Sequence, residues 1–263
     1  MRCLRSSANA GLSWQAEGVR QLFPTPVDDV DPVEVYADLP TAVGRPGLRV
    51  NMVASVDGAT AIGGVSAPLG GPPDRVVYRL LRAFADVVLV AAGTARTENY
   101  KPALVYEDHV DARRARGQSD APRIAVVSRR LDLDWDSPLF AEATEQTIVV
   151  TTDDAPAARL AAARERADVI TSGPGAVDLA AALVALGERG VGHVLAEGGP
   201  RLNGALAEAD VIDELCLTIS PLLAGGEAKR VLSGPDLPSA RELALGSLLE
   251  EDGFLLARFR TRR

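Results

Sequence analysis

The chain has 263 residues, 47% of them hydrophobic, and a formal net charge of −8. That size and apolar content suit one sizeable globular domain, and the acid excess argues against nucleic acid, whose phosphates such a surface repels. No apolar run approaches the ~20 residues that span a bilayer, so no membrane partner is expected. Cys3, Cys216, His109 and His193 supply neither a disulfide framework nor a His/Cys metal site. Met1–Gly11 lacks the apolar centre of a signal peptide. The expectation is a cytoplasmic protein without a metal.

In chain order, residues 1–46 are rich in Pro, Asp and Gly and read as an irregular N-terminal strap, with a helix near Asp31–Ala37. Residues 47–263 read as a single domain. Leu48–Ala54 is an apolar strand running into the turn Ser55-Val56-Asp57-Gly58. Asp74 is placed to N-cap a helix through Val77, Leu80, Leu81 and Phe84, and Val87–Ala92 is a buried strand entering Gly93-Thr94. Arg113, Arg114 and Arg116, between Asp111 and Asp120, read as a solvated loop. Strands are predicted at Arg123–Val127, Thr147–Val150, Asp168–Thr171 and Val191–Ala196, and helices at Ala155–Arg166, Val177–Glu188 and Pro200–Ala207. Ile212–Ile219 and Phe254–Phe259 are strands with at most a short helix between them. Alternating β and α with a β-rich end predicts an α/β fold: a mainly parallel central sheet, helices on both faces, antiparallel strands at the C-terminal edge.

Three strand ends could cradle an extended anion. Gly198-Gly199 lies between a strand and a helix, where backbone amides and the helix N-terminus favour phosphate; the plainer reading is a glycine turn that only packs. Glu197 sits at the carboxyl end of a central strand, where open α/β sheets place ligands. Gly93, Thr94 and Arg96 form a second junction. Ser128 and Arg129, after Arg123–Val127, offer a hydroxyl and a guanidinium suited to a ribose 2′-phosphate, as in NADP. Strand alternation turns Asn51, Val53 and Ser55 to one face, although Asp57-Gly58 could equally be an ordinary turn. Gly173-x-Gly175 lacks the third glycine of a dinucleotide fingerprint, and His193 reads as a core or edge histidine. No Gly-x-Ser-x-Gly elbow is present, and the only lysines, Lys101 and Lys229, stand in loop-like surroundings.

Taken in order, Ser55-Val56-Asp57-Gly58, Leu81-Arg82-Ala83 with Ala85-Asp86, Gly93-Thr94, Ala196-Glu197-Gly198-Gly199-Pro200, Asp213-Glu214-Leu215, Ser220-Pro221 and Gly225-Gly226 resemble the pyrimidine reductase family of riboflavin biosynthesis. The resemblance covers about residues 48–230. It implies a dihydrofolate-reductase-like three-layer α/β/α fold and reduction of a ribosylamino-pyrimidine phosphate, or a related heterocycle, by NADPH. It implies that Ser55, Asp57 and Glu197 act at the catalytic centre and that Asn51, Arg82 and Asn99 bind substrate. Gly93, Thr94, Arg96, Ser128, Arg129, Gly198, Gly199, Arg201 and Leu202 would bind the cofactor. Asn51 stands where the family usually has Lys, and Glu98-Asn99-Tyr100-Lys101-Pro102 replaces an Asp-Asn-Pro-x-Leu segment ending in a basic residue. Both changes predict a substrate side short of cations. The His-x-Glu and Pro-Cys-x-x-Cys signatures of the often-fused zinc deaminase are absent. Relatives pair through C-terminal strands, so a homodimer through Ile212–Ile219 and Phe254–Phe259 is expected. Two alternatives stay open: reduction of a dihydrofolate-like C=N bond, and a non-catalytic NADP-binding module.

Overall fold

A computed structural model describes residues 18–262; Cys3 and the first part of the strap lie outside the described residues. In chain order the elements are β1 (Arg20–Phe23), α1 (Pro32–Tyr36), β2 (Gly47–Ser55), a 3₁₀ turn (Ala67–Leu69), α2 (Pro72–Phe84), β3 (Val87–Ala91), α3 (Ala92–Thr97), α4 (Glu107–Ala115), β4 (Arg123–Val127) and α5 (Pro138–Ala141). There follow β5 (Ile148–Thr151), α6 (Ala157–Arg166), β6 (Asp168–Thr171), α7 (Leu179–Gly187), β7 (His193–Ala196), α8 (Pro200–Glu208), β8 (Glu214–Ser220), β9 (Leu243–Glu251) and β10 (Phe254–Thr261). All ten strands form one sheet in the order β1-β9-β10-β8-β2-β7-β3-β4-β5-β6. From β8 to β6 neighbours run parallel; β10, β9 and β1 close the other end antiparallel.

The inner strands are short β-branched runs buried on both faces, the pattern of a sheet covered by helices on each side. Alternate residues supply two cores. Val88, Val90, Ile124, Val126 and Leu195 meet Val77, Leu80, Leu81 and Phe84 of α2 on one face. Val87, Leu89, Ala125, Val194 and Ala196 meet Leu183 and Leu186 of α7 and Leu202 and Leu206 of α8 on the other. The expected three-layer α/β architecture is therefore present.

Four local readings are corrected. The N-cap of α2 is Gly71 with Pro72 following; Asp74 lies within the first turn, where its carboxyl is hydrogen-bonded to Thr218 of β8. The arginine cluster is no solvated loop: Arg113 is fully buried on α4. It donates to the Ala83 and Ala85 carbonyls at 3.0 and 2.6 Å, satisfying the end of α2. Burial lowers its pKa to about 10. Between β8 and β10 the chain forms a full strand, β9. Asp252 and Gly253, both with positive φ (51° and 79°), turn it into β10, the backbone that an Asp-Gly hairpin requires.

The described part of the strap is not irregular throughout. β1 pairs with β9, and Val19, Val33 and Tyr36 enter the core. Buried Arg49, Glu214 and Arg258 anchor it. Arg258 donates to Glu214 at 2.8 Å and to the Asp38 and Val35 carbonyls, and Arg49 reaches the Tyr36 carbonyl at 3.2 Å. Burial opposes the Glu214 charge, but Arg49 and Arg258 outweigh it and lower its pKa. Beside them burial pushes the Cys216 thiol up to about 12, so it is inert at neutral pH. The strands expected to pair two copies, β8 and β10, are internal to the sheet, and neither has a free edge.

Candidate active site

A cleft of about 1270 Å³ opens over the carboxyl ends of β2 and β7, walled by α2 and by the chain after α3. β7 lies between β2 and β3, both earlier in sequence, the kind of crossover position at which open α/β sheets bind ligands.

At its centre is Glu197, directly after β7. Its amide continues the ladder to Leu89 (3.0 Å), and the Gly198 carbonyl accepts from Ala91 (2.7 Å), so the strand end is rigid. Arg82 of α2 forks onto the Glu197 carboxylate with two bonds of 2.7 Å, and the Tyr100 hydroxyl donates to the same carboxylate at 2.6 Å. The Arg82 guanidinium lies 4.3 Å from the Tyr78 ring centroid and 5.5 Å from that of Tyr100. Tyr78 and Arg82, four residues apart, share one helix face. Burial opposes the Arg82 charge, but the Glu197 carboxylate more than offsets it and holds the guanidinium above its usual range. Burial first, and then the Glu197 charge, raise Tyr78 and Tyr100, so both stay protonated. The centre thus combines a bidentate, charge-assisted pair with two neutral phenols.

The Gly198-Gly199 junction is a cradle. Gly198 has φ +86°, and a Cβ there would lie 3.3 Å from the Met52 sulfur; a Cβ on Gly199 would collide with the Thr94 hydroxyl. Gly199 is also the N-cap of α8 and makes no side-chain cap bond, leaving the helix's first amides for a ligand. These features fit the phosphates of a dinucleotide.

The anticipated residues divide. Asn51, Arg82, Asn99, Thr94, Glu197 and Gly199 line the cleft. Arg82 is engaged by Glu197, so it shapes the centre and is not a free cation for substrate. Ser55 and Asp57 do not line it: Ser55 is buried and donates to Asp57 at 2.6 Å, while Asp57 accepts from Ala224 (3.0 Å) and Gly225 (2.7 Å). Those bonds, Ser55 first, lower the Asp57 pKa to about 2. Asp57 therefore latches the β8–β9 connection, whose Glu227, Ala228 and Lys229 reach the cleft. On the cofactor side Gly93 has open space around it, and Arg96 donates to the Asp132 carbonyl. Ser128 is buried and Arg129 exposed at the end of β4, outside the cleft lining. Arg201 is exposed, whereas the Leu202 side chain belongs to the core, so only its backbone could meet a ligand.

Tyr78, Arg75 and Arg79 were not anticipated, and Lys101 and Lys229 were set aside as loop residues. The expected shortage of cations is corrected, because all four cations line the cleft. None has a carboxylate within ion-pair distance among the described residues. Arg75, Tyr78, Arg79 and Arg82 form a stripe on α2 at helical spacing, which pattern alone could have found. No group of three or more His, Cys, Asp or Glu that could hold a metal occurs among the described residues, and no helix there is long and apolar enough to cross a membrane.

A sheet with a glycine cradle beside a buried acid defines a class of ligand-binding α/β proteins, and known proteins narrow it. Residues 46–250 match the RibD C-terminal domain, and the chain belongs to that family. It is 32% identical over 196 residues to a 2,5-diamino-6-ribosylamino-4(3H)-pyrimidinone 5′-phosphate reductase of Aquifex aeolicus, covering 72% of this chain and 83% of that one. A protein of the same name from Methanothermobacter thermautotrophicus is 28% identical over 190 residues, with the same coverage. Among solved structures, a pyrimidine reductase-like protein from Corynebacterium diphtheriae superposes with a TM-score of 0.78 at 27% identity, covering 89% of this chain and 100% of that one.

Proposed function

We propose that this chain is an NADPH-dependent reductase that converts a ribosylamino-pyrimidinone 5′-phosphate to its ribitylamino product. The observation that carries this reading is the Arg82–Glu197–Tyr100 centre opening into the same cleft as the Gly198-Gly199 cradle. The names of the relatives support the substrate class. NADPH, when bound, supplies the hydride.

The chain's own contribution is positioning. Gly199 and the first amides of α8 would hold the pyrophosphate, and Thr94 fixes the cradle's other wall. Ser128 and Arg129 would reach the 2′-phosphate from the end of β4. Glu197, oriented by Arg82 and Tyr100, would accept hydrogen bonds from substrate hydroxyl or amine groups. Arg75, Arg79, Lys101 and Lys229 offer positive charge to the substrate phosphate in place of the lysine that Asn51 replaces. A homodimer through the antiparallel end belongs to the same reading: Leu22, Phe23 and Leu243 are exposed there, and light scattering on the pure protein tests it.

The deciding experiment follows NADPH oxidation with the ribosylamino-pyrimidinone 5′-phosphate. Saturable turnover is expected. Tight NADPH binding without turnover would point instead to a binding module, and failure to bind NADPH would overturn the reading altogether.

A further inference from the structure

We propose that Tyr100 is a positioning residue for catalysis, delivered by the turn after α3 to lock the Glu197 carboxylate against Arg82. This rests on the reductase reading above.

α3 ends in a Schellman turn: the Tyr100 amide donates to the Ala95 carbonyl (2.8 Å) and the Asn99 amide to Arg96 (3.3 Å), with Asn99 in the left-handed region at φ 50°. That is the pattern of a helix stop at C′, where Asn is one of the few residues tolerated besides Gly. The chain therefore reverses at Asn99 and turns the next side chain inward. Glu98 ties the turn down by accepting from the Ser66 amide at 2.9 Å. Asn99, anticipated as a substrate ligand, has a conformational duty as well.

The second step is geometry at the acid. Arg82 takes one bond on each Glu197 oxygen, which fixes the plane of the carboxylate but leaves the remaining lone pairs undirected. The Tyr100 hydroxyl occupies a second position on Oε2 at 2.6 Å. With three donors in place the carboxylate is fixed, and Glu197 lines the cleft with acceptor capacity to spare. The titratable groups that feel its charge are Arg82 and Tyr78 from α2 and Tyr100 from the turn, with Asp74 and Glu98 one step further out beside Tyr78. Tyr100 is the only one of these besides Arg82 that has a hydrogen bond to the acid among the described residues. A phenol supplies a donor there without adding a second positive charge beside Arg82.

The test is a double-mutant cycle between Tyr100→Phe and Glu197→Gln. Tyr100→Phe keeps the ring over Arg82 and removes only the hydroxyl. It is expected to lower kcat about ten- to a hundredfold while leaving the KM for NADPH and the thermal midpoint nearly unchanged. The double variant should be no slower than Glu197→Gln alone. A readout free of turnover accompanies it: the Glu197 carboxylate stretch, isolated as the infrared difference from Glu197→Gln, should shift in Tyr100→Phe. A wild-type rate in Tyr100→Phe, or losses that add in full, would overturn the proposal. If the wild-type chain does not turn over the pyrimidine substrate, the reductase reading fails; the infrared band then still decides, and an unshifted band removes Tyr100 from the site.

Discussion

Two buried arginine–glutamate clusters, assembled from the same chemistry, serve different ends of this sheet. Around Glu214, Arg49 and Arg258 spend their remaining donors on the Tyr36, Val35 and Asp38 carbonyls of the strap, and Glu214 has no exposure at all. Around Glu197, the Arg82 guanidinium is flanked by two phenols, and the cluster borders a cleft of about 1270 Å³. The first cluster is closed on backbone and holds the fold. The second is left facing a cavity, and a charge kept there without sealing is what a ligand site requires.

Breaking each cluster should separate fold from function. The largest effect is expected from Arg258→Met, which takes a charged donor from Glu214 and from the Val35 and Asp38 carbonyls of the strap. It should cost about 3–5 kcal/mol of stability in urea titrations, with kcat of the folded fraction unchanged. Arg82→Met should cost less, about 1–3 kcal/mol, because water in the cleft reaches Glu197, yet reduce kcat/KM at least about a hundredfold. Equal stability losses with equal activity would erase the distinction between the clusters. Gly199→Asp sharpens it within the cleft: it puts a side chain against Thr94 and a negative charge in the cradle. Weakening of NADPH by about a hundredfold or more (~2.7 kcal/mol) is expected by calorimetry, and unchanged affinity would displace the pyrophosphate from this junction. The smallest effect belongs to the exposed Asp57 latch. Its pKa is lowered to about 2, so its contribution is complete above the ordinary carboxylate value of about 3.9 and lost as pH falls through about 2. The Gly225 amide shift should titrate with that midpoint and lose the transition in Asp57→Asn; a midpoint near 4 would mean that the latch is not made.

The sheet was largely readable from local pattern, because runs such as Val87–Ala91 and Ile148–Thr151 are β-branched, short and bounded by helical stretches. β9 escaped although Asp252-Gly253 is a hairpin signal, since the strand's outer half, Leu243–Gly246, carries little alternation. α4 looked solvated because the residues it buries are polar, His109 and Arg113, and the partners of Arg113 are backbone carbonyls invisible to hydropathy. In the site, Gly199 and Glu197 announced themselves through a strand–glycine–helix junction. Tyr100 did not, since its partner lies 97 residues away in sequence and only the sheet topology brings them together. Ser55 and Asp57 are ambiguous in the sequence for the opposite reason. A Ser-x-Asp-Gly motif looks alike whether it serves chemistry or a loop, and here Asp57 is committed to the Ala224 and Gly225 amides.

The central claim is that Glu197 and its partners form the reducing site. Its most direct test is single-turnover reduction of the ribosylamino-pyrimidinone 5′-phosphate by Glu197→Gln preloaded with NADPH. The account predicts unchanged NADPH affinity and hydride transfer slowed by at least about a hundredfold. Transfer at the wild-type rate would contradict it and place the chemistry elsewhere in the cleft.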